Sequence, residues 1–530
     1  MSLRVDKITY EVTNIKKSEK KTIEDVHKSK VQSLDEISKK NEFYFYISLL
    51  GLFLILQSVV SAAKYSGFQK PPMFGDFEAQ RHWMEITLHL PIKEWYFNTS
   101  DNNLEYWGLD YPPLTAYHSL ILGKISDLFD KSWVALKTSH GIESPSHLAF
   151  MRTSVIITMM LFYGPAIILM MNFLSPKNLP LSKKFIHVSI ALLYPGLIFV
   201  DNGHFQYNHI ALGFFVYAVF AFHKQRFLLG SVLFVLALNF KQMELYHALP
   251  IFVYIFSRSI IHSNKLSFVE KTTGTFLNLA KIGSVVIFSF IFLWIPFLTD
   301  LSVAKQVLHR LFPFARGIFE DKVANFWCCL NVVYKVKEIF DISTLAKIST
   351  VLVLISLLPS LVILFVKPSE RNLRITLTIS SLSFYLFSFQ VHEKTILMAA
   401  IPSLFVLYDN FDAVILFLDA SSFSMYSLCI KDENPEIIIL FIFFHFAVRI
   451  IRESDSHLVN YSKSLQLTTF LAIAGLQLFG DPPSRYPHLF DLMNAGFSFV
   501  NFLLFFLYLN FVLVKSNFYR NDGGSDKKNL

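Results

Sequence analysis

The twenty residues FYFYISLLGLFLILQSVVSA, positions 43–62, contain no charged side chain. A helix rises about 1.5 Å per residue, so roughly 20 apolar residues cross the hydrocarbon core of a bilayer. Lys39 and Lys40 stand just before this run, which favours a cytosolic entry. Working outward, the same pattern recurs. We read fourteen segments, near 43–62, 152–173, 185–201, 208–222, 226–242, 244–257, 278–299, 347–366, 375–389, 393–408, 412–428, 435–451, 464–480 and 494–514. The whole chain is 530 residues long, 53% hydrophobic and 17% charged, with 56 Phe. Soluble domains carry about 25% charged residues. The expected fold class is therefore an all-α polytopic membrane protein with about 14 transmembrane helices.

The net charge is +8. Its cations sit in short loops between apolar runs, so the positive-inside rule explains them better than nucleic-acid binding does. With a cytosolic N-terminus, the short even-numbered loops hold fourteen Lys and Arg between Lys177 and Lys463. The short odd-numbered loops hold four: Lys241, Lys394, Lys431 and Arg485. This asymmetry predicts that both termini face the cytosol. The chain divides into a polar tail over 1–42, expected to be mobile, a transmembrane domain over 43–515, and a C-terminal tail over 516–530. Lys527 and Lys528 near its end resemble a dilysine retrieval signal. Cys328, Cys329 and Cys429 have no zinc-like spacing and do not suggest a disulfide framework.

Two connections are too long to be turns. Residues 63–151 and 300–346 both fall on the lumenal side, and both are rich in Trp, Tyr, Phe and Pro. Loops of that length are usually functional or disordered, and this composition predicts folding against the membrane face. The stretch from Phe77 to Leu90 mixes apolar and charged residues and stops at Pro91, which fits a helix in the interface. Asn98-Thr99-Ser100 and Asn460-Tyr461-Ser462 are glycosylation sequons. Only Asn98 falls on the lumenal side.

Polar residues unusual for membrane depth concentrate at this one face. Ionisable groups there are costly and point to function. Asp76 follows Gly75. It can be a plain N-cap, or a base kept ionised by the helix N-terminus. Asp110 precedes Tyr111-Pro112-Pro113, as a turn residue or as a sugar-binding carboxylate. His392-Glu393-Lys394 reads as an ion pair locking two span ends, or as a cationic pocket for phosphate. Arg316 can serve phosphate through its two-pronged fork or sit at a surface. His204 and Gln206, in a short loop, offer donors for sugar hydroxyls. Asp76 and Glu78 could hold a divalent cation, but a D-x-E pair is weak evidence.

Five blocks carry a resemblance over about residues 70 to 515. They are Gly75-Asp76-Phe77-Glu78-Ala79-Gln80-Arg81-His82-Trp83, Trp107 to Leu114, Gly203-His204-Phe205-Gln206-Tyr207-Asn208, Arg310 to Trp327, and Phe389 to Thr395. Together they resemble the dolichyl-phosphate-glucose-dependent glucosyltransferases of N-glycan assembly, within the GT-C class. The first and fourth blocks look like the member that adds the first glucose to Man9GlcNAc2 on diphosphodolichol, rather than the member that adds the second. The resemblance implies a GT-C fold and an inverting α-1,3 transfer in the endoplasmic reticulum membrane, with a lumenal site. It implies Asp76 as catalytic base and Asp110 as a supporting carboxylate. It also implies His392 at the donor phosphate, with Lys394 and Arg316, and Glu78, His204 and Gln206 lining the substrate site. The implied partners are dolichyl-phosphate-glucose, Man9GlcNAc2-PP-dolichol and membrane lipid, with no nucleic acid. No cofactor and no divalent metal is expected. A lipid-linked sugar flippase is the reading from another class. The bias of charge to one face, rather than the midplane, and the absence of an evident inverted repeat favour an enzyme.

Overall fold

The computed structural model of the chain describes residues 40–263, 265–312, 322–451 and 456–518. Arg316, Glu320, Asp321, Arg452, the dilysine pair and nearly all of the 1–42 tail lie outside the described residues. Among those described, the regular elements are helical and no strand occurs. The chain divides into two compact units between Leu56 and Gln57.

The first unit contributes most of the apolar helix Lys40–Ser61, which covers the run 43–62. In the second unit, six further helices are long and apolar enough to cross a bilayer: Pro145–Leu174, Leu181–Phe205, Phe268–Phe297, Ile342–Val366, Phe411–Lys431 and Leu489–Phe518. Two shorter apolar helices, Asn208–His223 and Phe227–Phe240, pack against each other.

The remaining five expected spans are shorter or more polar than anticipated. The segment near 244–257 is a 3-10 turn, Gln242–His247, followed by the helix Ala248–Ser259. That near 393–408 is a 3-10 turn, Glu393–Ile396, leading into the eight-residue helix Leu397–Leu404. The others are Glu370–Phe387, Ile438–Ile451 and His457–Phe479. Such segments survive in an apolar setting where protein satisfies their polar groups. In Glu370–Phe387 the side chains of Thr376, Thr378, Ser380, Ser381 and Ser383 are fully buried, and Ser380 Oγ donates to the Tyr246 carbonyl at 2.6 Å. Small hydroxyl residues let helices approach closely in this way.

Burial separates the central spans from the peripheral ones. The most apolar windows of Leu181–Phe205 and Phe411–Lys431 are each 78% buried, against 6% for Phe268–Phe297. The last therefore turns almost its whole apolar surface outward, as lipid contact requires.

Both long connections are built from helices. The first holds Gly75–His89 and Pro113–Phe129, and it ends early because the next span begins at Pro145. Gly75–His89 is buried at every position from Phe77 to Thr87, so the charged face expected to meet water is paired inside protein. Pro113–Phe129 instead exposes Ile121, Ile125, Leu128 and Phe129, and it is the helix here with the outward apolar face of an interfacial element. The second connection holds Leu301–Leu311 and Phe326–Tyr334.

Candidate active site

The loop before Asp76 folds back on itself through two glycines. Gly67 has φ +82° and Gly75 has φ +65°, a region that costs other residues about 1–2 kcal/mol. A Cβ on Gly75 would lie 2.3 Å from the Ser66 carbonyl oxygen, and one on Gly67 would lie 2.0 Å from the Phe74 carbonyl carbon. Ser66 Oγ accepts the Asp76 amide at 3.3 Å. The Ser66 amide donates to the His204 carbonyl at 3.2 Å. Phe77 stacks on Tyr65 with ring centroids 4.2 Å apart and meets Phe205 at 4.7 Å. These contacts fix Asp76 in the first turn of the helix rather than at its N-cap, which is Phe74.

Three side chains from two distant segments donate to one oxygen of Asp76. Oδ2 accepts from Lys394 Nζ at 2.5 Å and Gln206 Nε2 at 2.6 Å, and His204 Nε2 lies 3.0 Å away. Among the described residues no donor reaches Oδ1. The Asp76 side chain keeps 24% of its surface exposed, so Oδ1 is open to a substrate hydroxyl. Burial alone would push this carboxyl up, but the Lys394 ammonium and the His204 ring hold it well below the usual carboxylate range.

The helix Leu181–Phe205 ends in a π-turn, Phe199–Phe205, a feature common at functional sites. Phe205, the last residue of this turn, has φ +82°, and His204 and Gln206 on either side of it both reach Asp76. Asp201 accepts from the His209 amide at 2.7 Å and from Asn208 Nδ2 at 2.7 Å. Asn208 Nδ2 also donates to Gln206 Oε1 at 2.9 Å. The network therefore leaves the Gln206 amide nitrogen facing Asp76. Lys241, one residue beyond Phe227–Phe240, donates to Asn208 Oδ1. Its Nζ stands 5.3 Å from the centre of the Tyr111 ring. A small cleft lined by Gln80, Tyr111, Gln206, Asn208 and Lys241 lies here, combining an aromatic face with donors as sugar sites do.

The other expected residues separate from this cluster in different ways. Glu78 is buried and tied to Arg81 at 2.6 Å and to the Tyr106 hydroxyl at 2.8 Å. Arg81 bridges on to Glu85 at 2.7 Å. Glu78 is thus held in an ion network rather than beside Asp76. Asp110 lies on the loop before Pro112, with its carbonyl accepting from Gln242 Nε2 at 3.1 Å. His392 caps the turn carrying Lys394, lies 3.5 Å from Glu393 and keeps 40% of its side chain exposed. Arg316 is outside the described residues.

Among the described residues, His82, Glu85 and His140 are near enough together to hold a metal. Glu85 already accepts from Arg81 at 2.7 Å, the Lys137 amide at 2.7 Å and Ser139 Oγ at 3.2 Å. These donors already occupy the Glu85 carboxylate, and a cation there would face the Arg81 guanidinium.

Sequence reading missed Asp432. Its Oδ2 lies 2.5 Å from His204 Nδ1, and each side chain is 4% exposed. The available signal was the charged turn Lys431-Asp432-Glu433-Asn434 between two apolar runs on the expected lumenal face.

Residues 48–508 match the ALG6, ALG8 glycosyltransferase family. The chain is 45% identical over 482 residues to a probable dolichyl pyrophosphate Man9GlcNAc2 alpha-1,3-glucosyltransferase of Caenorhabditis elegans, covering 91% of this chain and 92% of that protein. It is 43% identical over 496 residues to the dolichyl pyrophosphate Man9GlcNAc2 alpha-1,3-glucosyltransferase of Rattus norvegicus, covering 88% and 96%. A probable enzyme of the same name from Schizosaccharomyces pombe is 38% identical over 480 residues, covering 89% and 92%.

Proposed function

The chain belongs to the ALG6, ALG8 glycosyltransferase family, a GT-C family, and from that membership we propose that it adds the first glucose to Man9GlcNAc2 on dolichyl pyrophosphate through an α-1,3 linkage. The names of its relatives support this acceptor over the monoglucosylated one. The donor is dolichyl phosphate β-D-glucose, whose polyprenyl tail requires an enzyme in the membrane. The site faces the lumen of the endoplasmic reticulum, and both termini face the cytosol.

The observation that carries the chemistry is the convergence of Lys394, Gln206 and His204 on Asp76 Oδ2, with Oδ1 left open. The acceptor mannose presents its 3-hydroxyl to Oδ1. The bond from C1 of glucose to the phosphate oxygen breaks, and its electron pair leaves with dolichyl phosphate. The mannose oxygen bonds to C1 from the opposite face, which inverts β to α, and its proton passes to Asp76. An aspartate held below its ordinary pKa of about 3.9 is a weak base. It suffices when the C–O bond breaks early and charge builds on the ring, because the hydroxyl becomes acidic only as it bonds. Phosphate is a good leaving group and needs no general acid. His392, exposed next to Lys394, contacts the donor phosphate, and Arg316 adds a second cation; such groups stabilise developing charge where it forms. Asp110, next to Tyr111 at the cleft, supports sugar binding. No step calls for a divalent metal.

Purified protein in detergent, given dolichyl-phosphate-glucose and either acceptor, tests this reading. Product from the unglucosylated acceptor, undiminished by EDTA, is expected. Product only from the monoglucosylated acceptor would move the assignment to the second-glucose reaction. No product from folded protein would favour a flippase, which needs two compartments.

A further inference from the structure

His204 stands between two carboxylates and an ammonium. Its Nδ1 faces Asp432 Oδ2 at 2.5 Å, and its Nε2 faces Lys394 Nζ at 3.0 Å and Asp76 Oδ2 at 3.0 Å. No other charged group makes a hydrogen bond or ion pair with this ring among the described residues. Nε2 lies equally near Lys394, which can only donate, and an ionised Asp76, which can only accept, so a hydrogen on Nε2 goes to Asp76 Oδ2. An ionised Asp432 can only accept, which puts a hydrogen on Nδ1 as well. The ring thus bridges the two carboxylates, and Asp76 Oδ2 also takes the Lys394 ammonium. A carboxylate that fixes one ring nitrogen sets what the other can do.

Asp432 is itself held in place. Lys64 Nζ pairs with Glu433 at 2.7 Å, and Lys70 Nζ donates to the Lys431 carbonyl at 2.8 Å. The Lys64 amide donates to Asn434 Oδ1 at 2.8 Å, and Asn434 Nδ2 returns a bond to the Lys64 carbonyl at 2.5 Å. Every neighbour of Asp432 in this turn is clamped to the loop that ends at Asp76.

We propose that Asp432 is a positioning residue for Asp76, acting through the His204 ring that bridges the two carboxylates to hold the Asp76 carboxylate with Oδ1 toward the acceptor. The proposal rests on Asp76 being the base. Asp432 is buried against His204, so its loss is expected to lower turnover and spare binding.

The test compares Asp432→Asn, Asp432→Glu and Asp76→Asn as purified full-length proteins, with kcat, both KM values and thermal stability measured. Asp432→Asn is expected to lose at least about tenfold in kcat. Both KM values should stay within about twofold, the pattern of an interaction needed only for the chemical step. Asp432→Glu, which restores a carboxylate, is expected to regain part of the loss. Wild-type kcat in Asp432→Asn, with Asp76→Asn inactive, would overturn the positioning role and leave the base intact. A rise in KM together with a matching fall in thermal stability, unrelieved by Asp432→Glu, would make Asp432 structural and also overturn it. Turnover by Asp76→Asn would remove the base and this proposal together.

Discussion

At the residue scale, the position of a carboxylate around the helix decides what it does. Asp76 and Glu78 are two apart in sequence, and a helix turns about 100° per residue. Asp76 meets Lys394, while Glu78 meets Arg81. That separation explains why the D-x-E pair, legible as a motif, does not act as one site. Asp76 could be named because its glycine-preceded block is distinctive. Asp432 could not, because its partner His204 is 228 positions away and a lone aspartate in a charged turn carries no pattern. Asp76→Asn is expected to keep the fold and lower turnover by about 10²–10⁴, the usual worth of a general base; a transfer assay on monodisperse protein checks it. The pH dependence follows from the sign of the shift. A carboxylate depressed on folding contributes stability that is fully present above its unfolded value of about 3.9 and is lost as pH falls through its lower folded value. The difference in thermal midpoint between wild type and Asp76→Asn should therefore be constant from about pH 7 to pH 5 and narrow only below about pH 4. A gap that closes near neutral pH would contradict the depressed carboxylate.

At the element scale, the helix Gly75–His89 is positioned at its start and through its middle. Its start depends on Gly75 fitting against the Ser66 backbone, and its middle on the buried Glu78–Arg81–Glu85 ladder. Gly75→Ala should cost at least about 1–2 kcal/mol from the left-handed backbone alone, before the close approach to Ser66 is counted. Because Asp76 is the next residue, transfer activity should fall further than stability does. A thermal-shift measurement beside a turnover assay separates the two, and an unchanged kcat would mean that the helix start tolerates displacement. The long spans were legible because twenty apolar residues have few other uses. The five shorter or more polar segments gave weaker signals because their apolar runs are short or carry Ser, Thr and charged residues. In Glu370–Phe387 the hydroxyl side chains are covered by neighbouring protein, which no local pattern reveals. Pro113–Phe129 was not singled out because its outward apolar face is interrupted by Lys124 and Asp127. Its start was nonetheless signalled by Pro112-Pro113, proline being favoured in the first helical turn.

At the scale of the whole molecule, the site residues reach one place from segments hundreds of positions apart, and the proposed reaction requires that place to face the lumen. The charge asymmetry of the short loops argues for this orientation, and glycosylation can test it independently. Asn98 is exposed on the loop between Gly75–His89 and Pro113–Phe129, which carries Tyr111 to the cleft. Asn460 lies within the first turn of the helix His457–Phe479. An acceptor asparagine is modified only where the lumenal machinery can reach it. Protein expressed in eukaryotic cells should thus lose one glycan on treatment with a glycan-removing amidase. Asn98→Gln should abolish that mobility shift, and Asn460→Gln should leave it unchanged. Because Asn98 and Asp76 belong to the same connection between spans, a glycan at Asn98 puts the base on the lumenal side as well. A glycan at Asn460 would instead invert the chain and strand Asp76 in the cytosol, away from a lumenal acceptor.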